Sequence, residues 1–570
     1  MRIDAKQEGP RQSMSWLHTW ASLILGWLLY AIFLTGTLSF FQNEITVWMK
    51  PELHQSVPQN SQIQQTQVAL NYLQKNHPNA GSWNIQLPNA RQNTTILTVR
   101  KIGEDPRARR GGERITLDSA TGEVLEARDT RGGSFLYRFH FELYGLPRLW
   151  TRWLVGIATL LMLVAIISGV ITHKKIFKDF FTFRAGKGQR SWLDAHNATA
   201  VLALPFHIMI TFSGLLLLLF TLMPWGINQI YENRGQFLQE QSRALVENKE
   251  NKNEHAEGRN TDRQNNSQAR GENTQQGGEK RQQRQKLEAQ PAPLADIAPI
   301  LATAQQKWKD NPVGSISIIA PNTNQATIEL RALLGESVAH RNVYDSLEFN
   351  AVTGQNITDD SSRLKNPSVP MAIYNVVTVL HEARGVDLAL RWLLFCSGIV
   401  GTLMVATGLI LWCVKRAPQQ QKQGYKSFGY RVVEVTNIAA IIGLPIACAA
   451  YFYANRFIPA QMELRSDWEI RSFFIIWLLS LIYAALRPHR QAWLDLLAFA
   501  TLAFALLPVI NFMTGGQALW NSIANGQWMI ASFDLAMWLL AILFFYSYQK
   551  VKNHKGLPVK KAKVTQEPEA

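Results

Sequence analysis

The sequence predicts a polytopic α-helical membrane protein, with about eight transmembrane helices and two α/β domains on one side of the bilayer. Three observations carry this. Hydrophobic residues make up 47% of the chain while mean hydropathy is only −0.08, so strongly apolar runs alternate with strongly polar ones. Several runs reach the roughly 20 residues that cross a bilayer. Motifs of the first part of the chain also recur, in order, in the second.

Residues 1–15 are polar and basic (Arg2, Lys6, Arg11) and form an N-terminal tail. The first span is expected over 16–41, with His18 at its start and Thr35-Gly36 towards its end. A secretory signal would have a shorter apolar core and a small-residue cleavage site. This run instead ends in Phe40-Phe41, with Trp48 beyond, the aromatic edge of an uncleaved helix. Residues 50–140 are expected to form the first α/β domain. QTQVALNYLQK reads as a helix, and SWNIQL, TTILTVRKI and ERITLDSATGEVL read as strands because β-branched and polar residues alternate. Gly122 supplies the positive φ that the turn at 118–124 needs. His140 lies just ahead of the second span, 149–173, which carries Arg152-Trp153 and Ser168-Gly169. The basic loop 174–191 follows.

The third span, 192–224, holds His196 near its start and His207 within it. On a straight helix that spacing returns to within about 20° of the same face, about 16 Å further along. A histidine in a span is costly unless it faces a partner. Two on one face suggest two stacked levels of something that binds imidazole, whereas either one alone reads as a hydrogen-bonded packing residue. The second α/β domain is expected over 225–380. It is interrupted at 245–290 by an insert almost free of apolar residues, which cannot bury enough surface to fold and is expected to be disordered. LADIAPILATAQQKW reads as a helix, and SISIIA, ATIEL and NVYDSLEFNAVTGQNI read as strands. His381 precedes the fourth span, 389–414, which carries Arg391-Trp392 and Thr407-Gly408. Four further spans fit within 431–547 and contain no histidine, with His489 between two of them, and the tail 548–570 is basic.

Net charge is +16, but the basic residues sit beside apolar runs, where they set membrane orientation, and this argues against nucleic acid as a partner. With eight spans every basic loop falls on the cytoplasmic side, together with both termini. Both α/β domains then face the periplasm of a bacterial inner membrane. Cys396, Cys413 and Cys448 all lie in apolar runs, so no disulfide framework or CxxC metal site is available. HExxH, a nucleophile elbow and a GxGxxG nucleotide loop are absent.

The repeat is specific. Placing His18 on His196 also places Thr35-Gly36 on Ser213-Gly214. Ala120-Thr121-Gly122 matches Val352-Thr353-Gly354, Arg152-Trp153 matches Arg391-Trp392, and Ser168-Gly169 matches Thr407-Gly408. His140 and His381 fall in the same position ahead of a span. The expected unit is therefore helix, outer domain, helix, duplicated in parallel about an axis along the membrane normal. His207 has Leu29 as its counterpart and breaks the symmetry, and His173, whose counterpart is Trp412, reads as a snorkelling interfacial residue, with ligation held in reserve.

These motifs resemble the PepSY-associated transmembrane helix family, over about residues 10–416. The four C-terminal spans and the 245–290 insert depart from it. The family includes iron-regulated inner-membrane proteins, some of them haem-containing ferric-siderophore reductases. The resemblance implies two b-type haems stacked across the membrane and ligated by histidines of the four-helix core. The residues agree, because neutral imidazole is a common axial haem ligand and bundle cores build cofactor sites from facing side chains. His18 and His196 are the candidate pair for the cytoplasmic-side haem, and His207, His140 and His381 stay open for the outer one. The expected activity is reduction of a ferric siderophore in the periplasm, fed by a quinol or a cytoplasmic donor. Two alternatives stand beside it. One is a non-enzymatic PepSY-type binding or regulatory membrane protein, which needs no intramembrane histidines. The other is a siderophore or iron transporter, for which the last spans offer few charges (Asp495, Asp534). Trp83, Arg100, Lys101, Arg107, Arg109 and Arg110 would suit an anionic ligand, but the preferred reading of the cluster is a solvated loop.

Overall fold

The computed structural model describes residues 9–58, 61–108, 111–173, 183–184, 186–229, 232, 290–335, 337–339, 343–358 and 369–554. The insert expected over 245–290 lies outside the described residues except for Gln290, as do 174–182 of the basic loop, Arg109, Arg110 and the tail from 555.

Six helices are long and apolar enough to cross a membrane, and the number rises to eight if each of two bent pairs is one span. The first expected span is α1 (Pro10–Ile24) and α2 (Gly26–Ser39), which meet at 64° and lead into the short α3 (Gln42–Trp48). The third expected span is likewise broken, into α7 (Gln189–Leu202) and α8 (Leu204–Leu217), at 67°. Both breaks fall in the same register. Leu25 follows His18 by as many residues as Ala203 follows His196, and the two have nearly the same backbone angles (φ −116°, ψ 13° and φ −113°, ψ 25°). At the second break Pro205 has no N–H for the carbonyl of Val201, so the helix cannot run through. At the first, Gly26 packs so closely on Leu409 that an added Cβ would lie 2.7 Å from its Cδ2. The straight-helix relation expected between His196 and His207 therefore does not hold.

The bends let each broken span touch two partners. α1 packs on α6 (Arg148–Thr172), while α2 crosses to α11 (Leu388–Gln423). α7 packs on α11, while α8 crosses to α6. Ahead of α6 and α11 stand α5 (Gly133–Glu142), packed on α2, and α10 (Val369–Glu382), packed on α8.

At one end of the bundle lies one antiparallel six-stranded sheet, in the order β3-β2-β1-β4-β5-β6. Its strands are β1 (Ser82–Gln86), β2 (Thr95–Arg100), β3 (Glu113–Leu117), β4 (Val313–Ile319), β5 (Thr327–Ala332) and β6 (Ser346–Asn350). The two stretches expected to form outer α/β domains each contribute three strands to this one sheet. β1 and β4 pair across the centre, with Trp83 opposite Ile318 and Ile85 opposite Ile316. Helices α4 (Gln62–Asn76) and α9 (Ile297–Trp308) join one core that includes Leu73, Trp83, Leu97, Leu301, Ile316 and Phe349. Three strands alone would leave β1 or β4 as an open edge, and pairing removes both edges at once. Gly122 (φ 78°) and Gly354 (φ 71°) make the positive-φ turns that the sequence required.

The C-terminal helices α12 (Phe428–Phe457), α13 (Arg465–Leu486), α14 (His489–Met513) and α15 (Trp528–Lys552) pack beside the first span. A π-helical turn at Ala439–Gly443 interrupts α12, and the Ile441 carbonyl inside it accepts from Tyr30 (3.1 Å). Trp27 donates to Asn437 Oδ1 (2.7 Å) nearby. At the sheet end, charges expected to be scarce are buried and paired. Arg465 meets Glu469 at 2.5 Å, and Glu469 also accepts from Thr130 and Asn455 (2.6 and 2.8 Å). Arg456 stacks on Trp48 and donates to Asn511 (2.8 Å), while Asp534 accepts from Trp48 Nε1 (2.8 Å).

Candidate functional site

Four of the five candidate histidines meet in two pairs. His18 on α1 faces His196 on α7, with ring centroids 6.2 Å apart and planes at 62°. His140 on α5 faces His381 on α10, at 6.0 Å and 49°. The second pair is at the sheet end of the bundle and the first is at the far end.

Each ring is oriented through Nδ1. His18 Nδ1 lies 2.8 Å from the Ala165 carbonyl, His196 Nδ1 3.0 Å from that of Met404, and His140 Nδ1 2.8 Å from that of Ile32. A carbonyl oxygen can only accept, so Nδ1 carries the proton and Nε2 keeps the lone pair. At His381 the partner is the Ser213 hydroxyl (2.8 Å). That hydroxyl's single hydrogen goes to the Met209 carbonyl (2.6 Å), which leaves an oxygen lone pair for His381 Nδ1–H. A neutral imidazole held by a hydrogen bond on one nitrogen and bearing a lone pair on the other is the form that ligates a metal.

The Thr/Ser-Gly dipeptides of the repeat explain how the rings fit. Each glycine lies against one histidine of the set. An added Cβ would come 3.1 Å from the His18 ring at Gly169 and 3.1 Å from the His196 ring at Gly408. At Gly36 it would come 2.6 Å from His140, and at Gly214 3.5 Å from His381. The sequence showed the dipeptides at fixed distances from the histidines but not this purpose.

His207 belongs to neither pair. It is fully buried, beside the rings of Phe33 and Phe206 (centroids 6.3 and 6.1 Å), and neither ring nitrogen has a hydrogen-bond partner. Its Nε2 is 3.2 Å from where Gly401 would carry a Cβ. Gly401 is about two turns from Gly408, and Phe33 adjoins Ile32, so His207 sits between the two levels. His173 accepts from Asn197 Nδ2 (3.0 Å), a packing role at the end of α6.

The residue set fits a haem at each pair. Haem iron has its four equatorial positions filled by the porphyrin, so the protein supplies only axial ligands. Two imidazoles bound to one metal through bonds of roughly 2 Å put their centroids about 6 Å apart. Among the described residues no group of three or more His, Cys, Asp or Glu is placed to hold a bare metal ion.

The basic cluster of the sheet does not converge. Trp83 is in the core, with Nε1 donating to the His77 carbonyl (3.1 Å), and Arg100 donates to the carbonyls of Pro106 and Ala108 (3.3 and 2.6 Å). Arg107 faces Glu329 at 3.7 Å. Lys101 lines an open cleft of 580 Å³ with Asn76, His77 and Glu104.

Sequence reasoning missed Arg391 as a functional residue, although the repeated Arg-Trp dipeptide pointed to its position. It is 3% exposed and donates to the carbonyls of Ala383 and Val386 (3.1 and 3.4 Å), just beyond His381. Its counterpart Arg152 reaches Glu142, just beyond His140 (2.5 Å). Among curated proteins none matches the chain. Through residues 15–415, which match the family's sequence model over more than half its length, the chain belongs to the PepSY-associated TM region family.

Proposed function

We propose that the chain is a di-haem, b-type electron carrier of the bacterial inner membrane that reduces ferric siderophore, Fe(III) to Fe(II), in the periplasm. The observation that supports this best is the two opposed histidine pairs, 6.2 and 6.0 Å between centroids, at the two ends of one bundle. Bound there, haem supplies one-electron redox chemistry. The chain's own residues do the rest. The carbonyls of Ala165, Met404 and Ile32 and the Ser213 hydroxyl hold the Nδ1 protons and so fix the tautomer, leave each Nε2 lone pair free and turn the rings towards each other. Gly36, Gly169, Gly214 and Gly408 admit the rings between helix backbones. Phe33 and Phe206 pack beside His207 between the two levels.

Direction follows from charge. Arg2, Lys6 and Arg11 at the start and the basic C-terminal tail support a cytoplasmic position for the His18–His196 end. Electrons enter there from a quinol or a cytoplasmic protein and leave at the His140–His381 end, beneath the periplasmic sheet. Reduction releases the metal because hard oxygen ligands hold Fe(II) less tightly than Fe(III). In this reading the helix–outer domain–helix unit is duplicated, and the two copies share the sheet.

Visible spectra of the detergent-purified protein, oxidised and dithionite-reduced, with a pyridine haemochrome count, test it. About two b haems per chain and sharp reduced α-bands are expected. A colourless protein from cells supplied with haem would overturn the reading. His196→Ala should lose one haem and keep the fold, and full haem content in that variant would refute the ligand assignment.

A further inference from the structure

The guanidinium of Arg391 is buried with donors that no described residue receives. Nη2 is engaged by the Ala383 and Val386 carbonyls, but Nε and Nη1 are buried without a hydrogen-bond partner. The two acids within reach are already engaged. Glu44 approaches Nη1 only to 4.0 Å, and both its oxygens are held by Arg91 (2.7 and 2.9 Å). Asp387 is exposed and caps α11, accepting from the Leu390 amide (2.8 Å). A buried donor without an acceptor costs about 1–3 kcal/mol, more when charged, so such a group marks a site where an acceptor is expected.

Placement says which acceptor. Arg391 binds the carbonyl two residues after His381, and Arg91 beside it also donates to the Phe40 carbonyl (3.1 Å), one turn beyond Gly36, the glycine that faces His140. The unmatched donors therefore lie at the sheet-side margin of the His140–His381 pair. An arginine N–H without an acceptor suits a carboxylate, because the bond between them is charge-assisted. The matched position in the other half already has its carboxylate, because Arg152 binds Glu142, whereas residue 383 is alanine.

We propose that Arg391 binds a propionate carboxylate of the haem held by His140 and His381, with Nη1–H as the donor. The inference rests on the function proposed above. Arg391 is then a positioning residue that also raises the reduction potential of that one centre, since a cation beside the porphyrin favours the ferrous form.

Potentiometric titration of the purified holoprotein, followed at the α-band, tests this with Arg391→Gln, Arg391→Lys and Arg152→Gln. In Arg391→Gln one of two midpoint potentials should fall by about 59 mV or more, a tenfold change in that centre's ferric-to-ferrous ratio. The other potential should not move. Loss of that same haem, with the other kept, supports the proposal equally. Arg391→Lys keeps charge without the fork and should restore part of the shift, and it also serves if the Gln variant fails to fold. Arg152→Gln, whose partner is a protein carboxylate, should move the potential less. Two haems with unchanged potentials in Arg391→Gln would overturn the inference and leave the electron-carrier reading standing. A shift seen only in vesicles of anionic lipid, or only with added ferric complex, would assign Arg391 to a headgroup or to substrate and overturn it too. A colourless wild-type protein would overturn both.

Discussion

Helices α5 and α10 occupy matching places at the sheet end and meet different surroundings. α5 presents His140 to the bundle. Its other side is buried, with Phe135 and Phe139 against Phe473 (5.2 and 5.7 Å) and Tyr451 donating to the Gly132 carbonyl at its start (3.0 Å). α10 presents His381 to the same site, but its other side is open, with Val369 and Ile373 at 73% and 55% exposure. The C-terminal helices therefore brace one histidine-bearing helix and not the other. That gives the extension a task within the site: it fixes His140, against which His381 can adjust.

The largest expected effect tests the brace itself. Phe473 is fully buried at the centre of the aromatic cluster, and Phe473→Ala should cost about 3–5 kcal/mol, read as a fall in Tm in detergent. Ile373→Ala on the open side of α10 should stay within about 0.5 kcal/mol. Equal losses in the two variants would remove the distinction.

A smaller effect compares the two glycines. Gly36→Ala drives a methyl to 2.6 Å from a ring that the brace prevents from retreating, and overpacking of this kind costs about 1–3 kcal/mol. Gly214→Ala places its methyl at an ordinary 3.5 Å from His381 and should be tolerated. Circular dichroism melts and haem content of both variants decide it, and a Gly214 variant as damaged as the Gly36 one would contradict the asymmetry.

The smallest effect, read between pH 7 and 5.5, is acid sensitivity confined to the braced half. His54, outside the spans, joins the first half to the C-terminal helices: its Nε2–H donates to the Val47 carbonyl (3.0 Å), and its Nδ1 accepts from the Gln517 amide (3.2 Å). Burial, with Arg456 and Arg128 adding to it, pushes its pKa down to about 3. The unfolded chain takes up a proton below about pH 6.5, and the folded chain refuses it until about pH 3. Stability should thus fall by about 1.4 kcal/mol per pH unit as pH drops through that window. A His54→Gln variant should show a flatter Tm between pH 7 and 5.5, and an unchanged slope would assign the acid response elsewhere.

Much of this was legible in the sequence, and particular residues show where legibility stopped. Span number and histidine positions could be read because apolar length and charge are local properties. The bend at Ala203 was announced by Pro205, but an uninterrupted apolar run masked it. The pairing of β1 with β4 joins residues far apart in the chain, and no local pattern encodes it. Arg391 read as the edge of a span, and its burial depends on α10 and α3 folding over it. Asp534 read as an edge charge too, yet it is fully buried because Trp48 and Asn511 supply donors from other elements.

The continuous sheet restricts how the molecule can move. A machine that rocks one half of a bundle against the other to expose a cavity alternately to each side needs the halves to separate at both ends. Here five consecutive residue pairs, from Ser82–Ile319 to Gln86–Ser315, stitch the halves together directly above the His140–His381 pair. Opening that seam would strip a ladder of hydrogen bonds and split a shared core on every cycle. A scaffold locked in this way suits the proposed carrier, whose electrons would tunnel between fixed stations without any doorway opening.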